Sequence, residues 1–243
     1  MPSQFPTITP TVRTLIVVLV VCFLGQTAAE GLLGIPLTTW AALVPGLHVE
    51  LAWEWATYWL FANVAQPSDV VWHLVTIFVL YWALSTFELE NGRASLLRLI
   101  GAGIVGAAVL LIAGGAIVPS LFGVTAGPSP IFYAWLGALP VLRPNARVGL
   151  WVAALPPVSA WTMVGAMIVL SALQAAWAHN VSGLVEAIGG IGAGVLFGRY
   201  ERAPRRPGKA GPPPKKRAGR PSLTVIEGGG GGGEQDGKPR WLN

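Results

Sequence analysis

Long apolar runs, broken by short polar and proline-containing clusters, dominate residues 15 to 198. The first runs from Leu15 to Ala29 and continues through Gly31 to Ile35. Further runs can be cut at Val70–Phe87, Leu96–Val118, Ile131–Leu142, Val148–Trp177 and Val181–Phe197. A bilayer core of about 30 Å takes about 20 apolar residues of helix to cross, so the pattern predicts an all-α membrane protein with six spans. The fourth run is short unless it begins near Gly127. Pro156 and Pro157 interrupt the fifth, and proline both lacks an N–H and restricts the residue before it, so that helix is expected from about Ser159. The first run is longer than the apolar stretch of about 7–15 residues in a secretory signal, and no A-x-A-type site with a polar stop follows it. It reads as a retained span, with a cleaved signal peptide as the alternative.

Composition agrees with this pattern. The 243 residues are 53% hydrophobic and 11% charged, against about 25% charged in a soluble domain. The net charge of +5 is unevenly placed, because 11 of the 16 Lys and Arg and 4 of the 11 Asp and Glu follow Gly198. Residues 199–243 therefore carry +7 and the rest −2. The basic residues are missing from the part able to form a core, which argues against a nucleic-acid-binding fold. Arg13 precedes the first span, Arg93 and Arg98 lie between the second and third, and Arg143 and Arg147 lie between the fourth and fifth. Lys and Arg accumulate on the cytoplasmic side, so both termini are expected in the cytoplasm of a multi-pass protein of a plasma or inner membrane. Three segments follow: a short N-terminal one (1–11), a membrane domain (12–200) and a basic, Pro- and Gly-rich tail (201–243). The tail cannot bury a core and is expected to be disordered. It would serve as a topology signal and solubilising segment, or hold to anionic lipid headgroups at about 1 kcal/mol per charge.

The first outer connection, 36–69, is long and rich in Trp40, His48, Trp53, Trp55, Tyr58, Trp59 and Phe61. Such side chains favour the headgroup region, so short interfacial helices are expected there, as an anchor or as a gate for substrate. The single cysteine, Cys22, excludes intrachain disulfides and thiolate clusters. His48, His73 and His179 share no ligand spacing, and the glycine clusters do not lie between a strand and a helix. No metal, phosphate-cradling loop or other cofactor is expected.

Several separated motifs then coincide. They are Trp53-Glu54-Trp55-Ala56-Thr57-Tyr58 in the first connection, Trp72-His73-Leu74 in the second span, and Phe87-Glu88-Leu89-Glu90-Asn91-Gly92 at its end. Gly127-Pro128-Ser129-Pro130 opens the fourth span, with Tyr133 and Gly137 following in register. Glu186-Ala187-Ile188-Gly189-Gly190-Ile191-Gly192-Ala193-Gly194 lies in the sixth. Over about residues 12–200 the chain resembles the rhomboid family of intramembrane serine proteases, which has Gly-x-Ser-Gly at the fourth span and Ala-His-x-Gly-Gly-x-x-Ala-Gly at the sixth. The resemblance implies a six-helix rhomboid-like bundle, with Ser129 at the nucleophile position and His73 at an oxyanion-donor position.

It also locates departures. The family's general base falls on Ala187, and without a base the serine hydroxyl stays a weak nucleophile. Ile77 replaces a second oxyanion donor, and each such donor is worth about 2.7–4 kcal/mol in mutational tests. Pro130 stands in place of the flexible glycine. Ser129 then has a plainer reading as the cap of the fourth span, and His73 as an interfacial histidine. His179 is too far along the chain to replace the missing base. Glu186 is read as the one carboxylate deep in a core helix, able to pair with His73 or face an outer aqueous pocket. Gly190, Gly194 and Gly198, with Gly101, Gly103 and Gly106 on the third span, have spacings that let helix backbones approach closely.

Two functional classes follow from the resemblance. One is a pseudoprotease that binds transmembrane segments of client proteins without cleaving them. The other is an active intramembrane serine endopeptidase with an atypical base. A six-helix transporter or channel is a third class, opposed by the scarcity of polar residues inside the spans.

Overall fold

The computed structural model describes residues 6–45, 53–62, 67–148 and 157–203. They fall within one compact unit, Met1–Pro204, and the second unit, Arg205–Asn243, lies outside them, as do His48 and Pro156. Helices dominate: α1 (Pro10–Leu33), α2 (Leu37–Ala41), α3 (Glu54–Thr57), α4 (Pro67–Asn91), α5 (Arg93–Ile117), α6 (Ser129–Leu142), α7 (Ala160–Ala178) and α8 (Ser182–Arg202). Single 3-10 turns lie at Tyr58–Leu60 and Pro119–Leu121. Two two-residue strands, β1 (Arg147–Val148) and β2 (Val158–Ser159), pair antiparallel beside the start of α7. Glu201 and Arg202, assigned to the tail by composition, close α8; the rest of the expected disordered segment lies outside the described residues.

Among the described residues, four helices are long and apolar enough to cross a bilayer: α1, Val70–Asn91 of α4, α5 and α7, with mean hydropathy 2.0, 1.8, 2.4 and 1.5 in their windows. Several such helices are compatible with an integral membrane protein. The fourth and sixth expected spans differ from these four. Helix α6 is apolar but has 14 residues, about 21 Å at 1.5 Å per residue. Helix α8 has 21 residues and carries Glu186, with Arg199 and Arg202 in its last turn.

Local signals set the boundaries. Pro10 takes the first position of α1, where its missing N–H costs nothing, and Gly34 ends the helix at φ 66°. A left-handed residue with a backbone N–H returning to the last turn is the usual glycine stop, and here the Ile35 amide donates to the Ala29 carbonyl at 3.0 Å. Gly92, at φ 82°, turns α4 directly into α5. Ser159 caps α7 by accepting from the Thr162 amide at 3.1 Å, which is where the prolines predicted the helix to begin.

Helix α8 packs mainly against α6 and α5, and this trio forms the centre. A Cβ on Gly194 or Gly137 would run into backbone of the facing helix, at Ala134 and Ile191 respectively. One on Gly198 would stand 2.9 Å from Val141 Cβ, and one on Gly103 2.7 Å from Ala134 Cβ. Gly101 faces open space, so of the three glycines at 101, 103 and 106 on α5 only Gly103 and Gly106 make the close approach. At one end of the bundle Arg98 of α5 pairs with Glu201 of α8 at 2.8 Å, and Arg143 after α6 pairs with Glu90 of α4. At that same end Thr9 and Thr11 both donate to the buried Glu88 carboxylate.

The first connection does form short helices, but it is not confined to a surface. Trp40, Trp53 and Trp55 are exposed, whereas Tyr58 is fully buried and its hydroxyl donates to the Ile104 carbonyl, midway along α5, at 2.8 Å. Burial, reinforced by the Glu186 carboxylate, pushes the Tyr58 phenol up, so it stays protonated and keeps donating. On the α1 side, Gln26 is buried and spans the two backbone groups of Ala62, donating to its carbonyl at 2.6 Å and accepting from its amide at 2.9 Å. Glu30, one turn later, accepts from the Thr38 amide and hydroxyl, both at 2.6 Å.

Candidate functional site

The start of α6 is gripped from both sides. A Cβ on Gly103 of α5 would lie 2.7 Å from the Pro130 carbonyl, and one on Gly190 of α8 would lie 3.1 Å from that same oxygen and 2.7 Å from Tyr133 Cβ. Residues four apart share a helix face. Glu186 is one turn before Gly190 and therefore faces the first residue of α6. That residue is Ser129, and its hydroxyl donates to Glu186 Oε1 at 2.7 Å. The carboxylate is 6% exposed, and Ser129 is half-buried.

The approach to Ser129 is fixed by backbone. Gly127 has φ 131°, a conformation that strains any residue with a Cβ, and its amide donates to the Tyr58 carbonyl at 2.9 Å. Pro128 is the cap residue of α6 and Pro130 follows Ser129 inside the first turn. No side chain caps this helix. The cap reading of Ser129 is thereby corrected: proline at 128 takes the cap position, and the Ser129 hydroxyl is spent on Glu186. The connection before α6 is tied down as well, through Leu43 and Thr125 exchanging backbone bonds at 2.8 and 3.0 Å and through Gly123, whose amide donates to Ser182 Oγ at 2.9 Å.

The other expected site residues divide. Ala187, at the family's base position, is fully buried and offers only a methyl group. Ile77 is 7% exposed and belongs to the apolar core. His73 is buried but faces α1: its ring stacks on Phe23 with centroids 4.9 Å apart, and its Nε2 has no hydrogen-bond partner. Of the two placements open to Glu186, pairing with His73 or facing an outer pocket, the structure shows neither as its bond: it pairs with Ser129, because Gly190 turns that face of α8 toward α6. His179 is exposed and ends α7 in a left-handed conformation, φ 52°.

Glu186 is also not the sole buried carboxylate: Glu54 and Glu88 are 2% and 9% exposed. The available signal for Glu54 was a carboxylate between two tryptophans and for Glu88 one between Phe87 and Leu89; a polar side chain within an apolar run likewise marks Gln26 and Glu30, spaced four apart in α1. Among the described residues no group of three or more His, Cys, Asp or Glu is placed to hold a metal ion. Fold and site together define a mostly helical protein with, among the described residues, four helices fit to cross a bilayer and a serine–carboxylate pair where α6 and α8 pack closely. No protein-family model, no curated protein and no solved structure matches this chain.

Proposed function

We propose that this chain is a six-span rhomboid-like membrane protein that binds transmembrane segments of client proteins without cleaving them, with both termini cytoplasmic. The observation that carries the reading is the Ser129–Glu186 pair beside Ala187. A serine nucleophile needs a base matched to neutral pH and donors for the oxyanion that forms on attack. Here the serine hydroxyl is already donated to the Glu186 carboxyl group at 2.7 Å, and the position where the resemblance puts a histidine base holds only the buried methyl of Ala187. His73, stacked on Phe23, makes no hydrogen bond to Ser129. A helix of about 21 Å whose far end meets the Arg143–Glu90 pair would leave Ser129 below the outer surface of a 30 Å core. Exposed apolar side chains such as Val21, Trp72 and Leu173 supply faces for lipid and for client helices.

A second reading rests on that hydrogen bond as well: Glu186 acts as the base of an endopeptidase, taking the Ser129 proton as Oγ attacks. Labelling of the purified protein by a fluorophosphonate, with Ser129→Ala and Glu186→Gln beside it, separates the two. The binding reading expects no label on the folded wild type, together with photocrosslinks to a co-reconstituted helical client and no cleavage products. Label that is lost in both variants would overturn it in favour of the endopeptidase.

A further inference from the structure

A cleft of about 530 Å³ opens at the end of the bundle where α6 finishes, α7 begins and α8 ends. Pro140, Val141 and Pro144 form an apolar wall, Trp161 stands at its side, and Arg199, Arg202 and Ala203 complete it, with no acidic residue among the described lining residues. The two arginines are three residues apart on α8 and so share a face. At the same end Arg98 and Arg143 are already held by carboxylates. Among the described residues Arg199 and Arg202 have no carboxylate partner, and both are exposed. Trp161 is 53% exposed, and tryptophan prefers the headgroup level of a bilayer.

We propose that this cleft is a site for one anionic phospholipid, its phosphate on Arg199 and Arg202 and its glycerol and first methylenes against Trp161 and the prolines. Guanidinium groups suit phosphate because their planar N–H forks match its oxygens, and basic clefts between helices on the cytoplasmic side are a usual seat for acidic headgroups. The assignment rests on bilayer insertion and is independent of whether Ser129 reacts. Whether the chain leaves membranes only with detergent tests insertion separately.

The test is native mass spectrometry of the full-length, delipidated protein titrated with phosphatidylglycerol or phosphatidylcholine. Wild type should retain phosphatidylglycerol preferentially. Arg199→Gln with Arg202→Gln should weaken that retention about 25-fold, the value for two charges at about 1 kcal/mol each, and leave phosphatidylcholine unchanged. Arg199→Lys with Arg202→Lys keeps the charge but loses the planar fork and should restore only part of the preference, which assigns the loss in the Gln pair to charge rather than to misfolding. Three results would overturn the site: unchanged retention in the Gln pair, an equal loss in Arg93→Gln, or an equal loss in Lys215→Gln/Lys216→Gln/Arg217→Gln. Displacement of the lipid by millimolar inorganic phosphate alone would assign the cleft to free phosphate instead.

Discussion

The α5–α6–α8 centre and the α1 side of the molecule are held together by different physics. In the centre, glycines at 103, 137, 190, 194 and 198 bring helix backbones together with almost no side chain between them. On the α1 side, the contacts are polar bonds reaching across to the first connection: Gln26 to Ala62, Glu30 to Thr38, and Tyr58 on to Ile104. Where the surroundings are as apolar as the helices, association is driven by close packing and by hydrogen bonds rather than by exclusion of water. The chain uses one device for the trio that carries Ser129 and Glu186, and the other for the segment that covers it. Packing of backbone on backbone is intolerant of volume, whereas a polar latch is tolerant of volume and intolerant of lost partners.

The comparison breaks most sharply at Gly194. Gly194→Leu is expected to cost about 3 kcal/mol or more, since overpacking against backbone has nowhere to relax, and loss of a monodisperse protein with a lowered unfolding temperature would register it. Gln26→Leu should act more locally. It strands a buried amide and carbonyl at Ala62 for roughly 1–3 kcal/mol, so hydrogen exchange should rise in Leu37–Ala41 and Tyr58–Leu60 while α6 and α8 keep their protection. If α6 and α8 exchanged faster too, the two regions would not be separable. Tyr58→Phe removes one bond to Ile104 and is expected to cost about 1 kcal/mol, read as a smaller shift in the same unfolding curve. Smallest of all, Gly101→Ala meets open space and should raise stability by up to about 1 kcal/mol through helix propensity. A loss there would show that the glycine faces are misassigned.

Much of the helical layout was legible in the sequence. The apolar runs locate the long helices, the prolines before Val158 place the start of α7, and aromatic clustering marks short helices in the first connection. The site was legible only by residue. Ser129, His73, Ile77 and Ala187 could be singled out, yet His73 turns toward Phe23 and Ser129 gives up its cap role to Pro128. Run boundaries in hydropathy also hid the polar end of α1, which begins at Pro10 and is tied to Glu88 through Thr9 and Thr11.

What the sequence determined by itself was therefore which segments become helix and which are apolar enough for a bilayer. Those are properties of a stretch of chain, fixed by backbone hydrogen bonding and side-chain transfer within about 20 residues. Tertiary structure alone decided how each helix is rotated about its axis. Rotation selects Gly103 over Gly101 for close contact and sets Glu186, 57 residues along the chain, against Ser129. It is decided by the shape of the neighbouring helix, because one residue's step around a helix is 100° and several faces of these uniformly apolar segments are chemically alike.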